Sequence, residues 1–351
     1  MKIDRFPQNP LITPSDVKPS RPDFEVMCVF NPGVIKFGEE TILLMRVAER
    51  PVQDDPAVVK TPILDCDNGE AKLEVVSFRR DDPSVGLHDP RVICLPDRVY
   101  LTSISHLRLA RSIDGVNFAI EETPAIFPDR KSESFGIEDA RITEIGGEYY
   151  IVYKSVERRG ITQTLAVTKD FVTYEKRGII FCPENMDVCL FPEKIGGRYC
   201  ALHRPQPRMM GDPNMWVAYS PDLLHWGDHH FLMGVDAGDW CGGRIGGGAI
   251  PVKTEKGWLE IYHGATPQDH YCLAAVLLDL EKPEKILAYS PEPFMRPEAS
   301  YETTGFMPNV VFTCGAIAEG DKVTIYYGAA DNVIAAADVS LSELLGGMRT
   351  W

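Results

Sequence analysis

The sequence has few helix signals, no long apolar run and a shortage of positive charge. Its 36 basic residues face 51 acidic ones, a net charge of −15. Nucleic acid and anionic membrane both require a basic footprint, so neither is expected as a partner. A small anion responds to the local field and stays open as a ligand. No stretch approaches the ~20 apolar residues of a membrane span, and Met1-Lys2-Ile3-Asp4-Arg5-Phe6-Pro7 lacks the apolar core of a leader. The nine cysteines are odd in number and form no CxxC pair, which argues against a zinc site or a disulfide framework. Cys94, Cys189 and Cys314 sit among apolar residues and read as small buried hydrophobes. A reduced, soluble, cytoplasmic protein with no metal is expected.

What is present is a phrase that returns. His88-Asp89-Pro90-Arg91-Val92-Ile93-Cys94-Leu95, Glu138-Asp139-Ala140-Arg141-Ile142 and Asp187-Val188-Cys189-Leu190-Phe191 each carry polar residues into an aliphatic run. A turn and an aromatic strand follow each. Repeats of roughly 40–60 residues bury one another's faces, as in propellers and solenoids. In a propeller, equivalent strands line one central hole, so scattered polar strand starts converge on one pocket.

A second repeat lies at the outer turns. Ser112-Ile113-Asp114-Gly115, Thr168-Lys169-Asp170-Phe171 and Ser220-Pro221-Asp222-Leu223 match, with weaker copies at Leu278-Asp279-Leu280 and Ala337-Asp338-Val339. An Asp or Ser there closes a local side-chain turn. These five turns stand against six inner-strand starts, near Asn31, Asp89, Asp139, Asp187, Arg244 and Asn309. The favoured reading is all-β, a five-bladed β-propeller with an enlarged first blade from Asn31 to Asp114. Asp54 to Asp81 would be its extra hairpin; a six-bladed ring is the alternative. Residues 1–351 read as a single domain. Residues 1–25, with five prolines, are expected to lie extended on the surface. Residues 340–351 form a C-terminal tail with a helical turn at Leu341–Leu345.

Several polar residues could carry chemistry. Arg46 ends an apolar strand, either aimed at the axis or paired with Glu49. Glu138 and Asp139 adjoin Arg141. Neighbours on a strand point to opposite faces, so only Asp139 would share the axis with Arg141. A structural Asp–Arg pair between blades is the competing reading. Arg204, Arg244 and His263 close or open apolar strands in successive units and together could bind phosphate or carboxylate, with arginine supplying forked donors. Gly246-Gly247-Gly248 lacks the pattern of a phosphate loop and reads as letting a ligand approach the backbone. Asp331 follows the last apolar run and would alone be a turn residue.

Together these segments resemble glycoside hydrolase family 130, the β-mannoside phosphorylases and related β-mannosidases. The matching phrases are Phe30-Asn31-Pro32-Gly33, Gly136-Ile137-Glu138-Asp139-Ala140-Arg141, Phe191-Pro192-Glu193-Lys194-Ile195-Gly196-Gly197-Arg198-Tyr199, Leu202-His203-Arg204-Pro205, Gly246-Gly247-Gly248, Tyr262-His263-Gly264-Ala265 and Tyr326-Tyr327-Gly328-Ala329-Ala330-Asp331. The resemblance implies a five-bladed propeller. It implies Asp139 as the catalytic acid, passing its proton through a mannose hydroxyl. Asn31, Arg46 and Asp331 fall on mannosyl-holding positions, with Arg141 added as a substrate-binding candidate. Arg204, Arg244 and His263 fall on phosphate-binding positions.

The implied chemistry is inverting, with inorganic phosphate as co-substrate, no cofactor, and α-mannose 1-phosphate as product. One departure is Met186-Asp187, where other phosphorylases place an Arg-Asn pair. It removes a cation and adds a carboxylate, so an inverting β-mannosidase with Asp187 or Glu193 as base is the alternative. A non-catalytic mannoside-binding propeller is a third. The phrasing is most similar to members acting on β-1,2-mannobiose or short β-1,2-mannan. A homo-oligomer is compatible with an intracellular enzyme of this type.

Overall fold

The computed structural model describes residues 1–66, 71–236 and 240–351. Among them almost all regular structure is strand, and the main sheets form a five-bladed propeller. Blade 1 is built from Phe24–Phe37, Glu40–Pro51, Ile104–Ser112 and Ala119–Ile120. Blade 2 is Ile137–Ile145, Glu148–Glu157, Gly160–Thr168 and Glu175–Phe181. Blade 3 is Asn185–Leu190, Tyr199–Pro205, Met215–Ser220 and Gly227–Met233. In blade 4, Arg244–Gly247 and Val252–Thr254 share the first position, before Gly257–Ala265, Tyr271–Leu278 and Ile286–Tyr289. Blade 5 is Val311–Glu319, Lys322–Ala329 and Val333–Ser340, with Asp4–Arg5 as its outer strand. Neighbouring first strands touch around the channel.

Blades press on both faces of the middle strands, so those strands read as continuous apolar runs rather than alternating ones. Gly257–Ala265 is buried at every residue. Between blades 3 and 4, Trp258 meets Phe191 edge-on at 5.3 Å, with Cys189, Ile245 and Tyr262 in the same cluster. Truncating such a buried aromatic costs about 3–5 kcal/mol.

Four of the five expected turns have the geometry read from sequence. Asp114 Oδ1 accepts from the amides of Val116 and Asn117 at 2.9 and 2.8 Å. Asp170, Asp222 and Asp279 accept in the same way from the residues two and three places on. Ala337-Asp338-Val339 differs, because Asp338 lies within a strand and accepts from Thr324 Oγ1 at 2.6 Å. The chain turns instead at Ser340, which caps the helix Leu341–Gly346 by accepting from the Glu343 amide.

Five blades, not six, follow from the place of Asp89. It precedes Val92–Cys94, which pairs with Val99–Leu101 as a small hairpin, with one further bridge from Cys94 to Gly86, and lies outside the five blade sheets. That hairpin and a longer one, Val58–Asp65 with Lys72–Arg79, are inserted between the second and third strands of blade 1. The first blade is thus enlarged as expected.

Both chain ends add strands to the blades, beyond the extended N-terminal segment and the C-terminal helical turn expected. Asp4 and Arg5 pair with Asp338 and Ala337, and Leu11 and Ile12 donate to the Ile334 carbonyl. Asn9 donates to and accepts from the Ala336 backbone. Arg5 forks onto buried Glu302 at 2.7 and 3.0 Å. The N-terminal segment therefore closes the ring rather than lying free, because the last blade supplies only three strands of its own. The tail also ends in a strand, Arg349–Thr350, which edges blade 4.

Candidate active site

The site is set by a register repeated around the channel. In the first strands of blades 1, 2 and 3 the ladder slips after Phe30, Glu138 and Met186. The next residue, Asn31, Asp139 or Asp187, takes a left-handed backbone with φ of 46°, 49° and 55°. Such a bulge re-aims a side chain, and Asn and Asp tolerate this conformation best. Opposite the residue before each slip stands a cation of the second strand. Phe30 pairs with Arg46, Glu138 with Lys154 and Met186 with Arg204. In blade 4, Gly246 pairs with His263, and in blade 5, Phe312 pairs with Gly328. Gly328 must be glycine, because a Cβ there would collide with Asn31 Oδ1 and lie 2.9 Å from the Asn31 nitrogen.

The cations bridge neighbouring blades. Asp139 accepts from Asn31 Nδ2 at 3.0 Å, Arg46 Nη1 at 3.2 Å and Lys154 Nζ at 2.7 Å. Arg46 also donates to Glu138 Oε1 at 2.7 Å. Glu138 and Asp139 therefore both face Arg46, and strict strand alternation fails here because of the bulge. Arg46 is not paired with Glu49, which binds His106 and the Ser20 amide on the far side of blade 1.

One cavity of about 480 Å³ opens over this cluster. Asn31, Arg46, Asp139, Arg204, Arg244 and Asp331, all singled out in the sequence, line it. Arg204 Nη1 donates to Gln206 at 2.6 Å. Arg244 donates to the Tyr271 hydroxyl at 2.7 Å and to Asp269 at 2.6 Å.

Four other candidates stand outside the cavity wall. Arg141 is 1% exposed and donates to the Gly247 and Gly248 carbonyls at 2.7 and 3.0 Å. The glycines thus let Arg141 and Asp187 approach, not a ligand. Asp187 is fully buried, held by Arg204 at 2.7 Å and by Arg141 and Lys154 at 3.4 Å. His263 Nε2 lies 3.3 Å from Asp187 Oδ2 without hydrogen-bond geometry, and the ring is 1% exposed. Glu193 is exposed and pairs with Lys253 Nζ at 2.5 Å, away from the cavity.

Sequence reasoning missed Lys154, Glu138 and Arg91 as cavity residues. Lys154 was findable: it occupies in blade 2 the place that Arg46 and Arg204 occupy in theirs.

Charge in the cavity is uneven. Burial raises the Asp139 carboxyl, but the charges of Lys154 and Arg46, with hydrogen bonds from Lys154 and Asn31, outweigh it and hold the group low. Burial pushes Glu138 up against the pull of Arg46, and the Asp139 charge adds to this. Asp331 is pushed up to about 6, chiefly by burial. Burial drives His263 down to about 4, so it is neutral near pH 7. Burial also opposes the Asp187 charge, yet Arg204, Lys154 and His263 hold its carboxyl well below the usual range.

Known proteins share this fold and much of this sequence. The model of glycoside hydrolase family 130, described as β-1,4-mannooligosaccharide phosphorylase, matches residues 98–350. A β-1,2-mannobiose phosphorylase of Listeria innocua serovar 6a is 47% identical over 349 residues, covering 98% of both chains. A 1,2-β-oligomannan phosphorylase of Thermoanaerobacter sp. is 39% identical over 71% of this chain and 83% of its own. The solved structure of the Listeria innocua β-1,2-mannobiose phosphorylase in complex with β-1,2-mannobiose superposes with a TM-score of 0.95 over 99% of both chains.

Proposed function

Because the chain belongs to glycoside hydrolase family 130, we propose that it is an inverting phosphorylase of β-1,2-mannobiose or short β-1,2-mannooligosaccharides. The family model carries a β-1,4 description, but a β-1,4-mannooligosaccharide phosphorylase is only 29% identical, against 47% for the β-1,2-mannobiose enzyme. The observation that carries the reading is one cavity holding both a carboxylate cluster at Asp139 and two guanidinium groups, Arg204 and Arg244.

In the proposed reaction a phosphate oxygen attacks the anomeric carbon from the face opposite the leaving sugar. The bond from that carbon to the glycosidic oxygen breaks through an oxocarbenium-like state, and the leaving oxygen takes a proton. The products are α-mannose 1-phosphate and the shortened sugar. Overall the proton passes from hydrogen phosphate to the leaving oxygen, so the protein ends as it began. Asp139 carries it, by way of a mannosyl hydroxyl. Because Lys154 and Arg46 keep Asp139 ionised in the free site, the proton arrives with the hydrogen phosphate. Asn31, Arg46 and Asp331 hold the mannosyl unit; Arg204 and Arg244 hold phosphate. His263, neutral and buried, acts on that site by packing against Asp187. No cofactor enters this scheme.

The mannosidase alternative needs a base with room for water opposite the acid. Asp187 is sealed among four basic side chains and Glu193 is outside, so neither serves. We place the enzyme in the cytoplasm, since Cys28, Cys94, Cys182, Cys189, Cys200, Cys272 and Cys314 are unbridged thiols. No helix among the described residues is long and apolar enough to cross a membrane. The deciding assay incubates the protein with β-1,2-mannobiose, with and without phosphate. Mannose 1-phosphate formed only with phosphate is expected; free mannose formed without it overturns the reading.

A further inference from the structure

The phosphate site as assigned is short of uncommitted donors. Arg204 is countered by Asp187, at 2.8 Å from its Nε and 2.7 Å from its Nη2. Arg244 is countered by Asp269 at 2.6 Å. Met186, which also lines the cavity, brings no charge. Both guanidinium groups are largely committed to protein acceptors, which leaves few donors for a dianion.

Besides Arg204, Arg244 and Arg46, a further guanidinium reaches the same cavity from the insertion in blade 1. Arg91 immediately precedes the small hairpin, with Leu101, Thr102 and Ser103 of that hairpin beside it in the wall. Its Nε and Nη2 fork onto Asp89 at 3.1 and 2.9 Å, which fixes the plane of the group. Its Nη1 faces Asp269 Oδ2 at 3.6 Å, while Asp269 Oδ1 accepts from Arg244. One carboxylate thus gathers two guanidinium groups at the cavity wall. A phosphate offers the same planar, forked acceptor geometry and a larger charge. Arg98, in the turn of the same hairpin, shows the contrast: it pairs with Asp97 and is not part of the cavity wall.

We propose that Arg91 is a phosphate-binding residue, delivered by the inserted hairpin and set beside Arg244 by Asp269. Asp89 offsets its charge as Asp187 and Asp269 offset those of Arg204 and Arg244, so what it adds is the Nη1 donor, where Met186 offers none. This rests on the phosphorylase reading above.

The test measures initial rates of mannose 1-phosphate release while phosphate and β-1,2-mannobiose are varied separately. For Arg91→Ala the KM for phosphate rises roughly 10- to 100-fold, the worth of a charge-assisted hydrogen bond. The KM for mannobiose stays within about twofold. Arg91→Lys keeps the charge but loses the fork, so it shifts the phosphate KM in the same direction by less. It also carries the test if the alanine variant fails to fold. Arg98→Ala, on the same hairpin, behaves as wild type. A rise confined to the mannobiose KM would assign Arg91 to the sugar and overturn the proposal, as would no change in either constant. A wild-type enzyme indifferent to phosphate would instead sink the phosphorylase reading itself.

Discussion

Asp139 and Asp187 occupy equivalent bulges in adjacent blades, and both are ringed by cations. Asp139 binds Asn31, Arg46 and Lys154; Asp187 binds Arg204, Arg141 and Lys154, with His263 against it. The first lines the cavity and the second does not. The difference lies in what stands across the channel. Opposite Asp187 come Gly246 and Gly247, whose backbone closes over it, so that Arg141 reaches the Gly247 and Gly248 carbonyls. The same residue type on the same device lines the cavity where the channel opens, as the proposed reactive group, and is sealed as a strut where it closes.

Substitution separates the two. Asp139→Asn keeps the shape and removes the proton carrier. We expect kcat to fall about 10²- to 10⁴-fold, the usual worth of a general acid, with a smaller loss of stability than in Asp187→Ala, because Arg46 keeps Glu138 and Lys154 keeps Asp187 as counter-charge. Asp187→Ala leaves Arg204 and Arg141 buried without their counter-charge, which costs about 3–5 kcal/mol. Chemical denaturation should read that loss directly. If Asp187→Ala were stable and merely slow, or Asp139→Asn unstable, the contrast between strut and reactive group would break.

The blade count was legible because four of the outer turns rest on local hydrogen bonds that one Asp accepts from the amides two and three residues on. Asp114, Asp170, Asp222 and Asp279 need no distant partner for that. The cavity residues were legible for a related reason: polar side chains at strand starts have one place to converge. Depth was not legible. Arg141, Asp187 and His263 carry the same charge pattern as Arg46, Asp139 and Arg204, and only the closure of blade 4 over them sets them apart. Glu138 was missed because strand alternation was assumed across a bulge. The N-terminal strand was missed because its partners lie some 330 residues away, where Asp4 pairs with Asp338.

Asp331 sharpens the comparison from the open side, through pH. Its carboxyl is raised from 3.8 to about 6 in the folded protein. Between those values the folded state holds a proton that the unfolded state has lost. Stability from this group therefore falls as pH rises from about 4 to 6, then stays level. The penalty at pH 7 is on the order of 2–3 kcal/mol. Asp331→Asn does not titrate, so the stability of the variant relative to wild type should grow over that window and then plateau. Asp187, held low, acts in the opposite sense: its contribution is present above the ordinary carboxylate range and is lost in acid. Melting curves of Asp331→Asn and wild type from pH 4 to 8 test this. A constant difference would mean that Asp331 titrates normally and that the cavity is wetter than its burial implies.

The smallest effect tests the closure itself. A methyl group on Gly246 would collide with Asp187 Oδ2 and come 2.9 Å from His263 Nε2. Neither partner can yield freely, since Asp187 is held by cations on its other sides. Gly246→Ala should therefore cost about 1–3 kcal/mol, the range for overpacking. It should also weaken phosphate binding, because Arg204 takes its position from Asp187. Gly320→Ala is the control. That glycine has φ of 62° in an outer turn with nothing within 4 Å of an added Cβ, so its cost, about 1–2 kcal/mol, comes from backbone conformation alone. The phosphate KM should move in Gly246→Ala and hold in Gly320→Ala even if the two melt together. If it holds in both, Asp187 does not position Arg204, and the strut carries load without shaping the site.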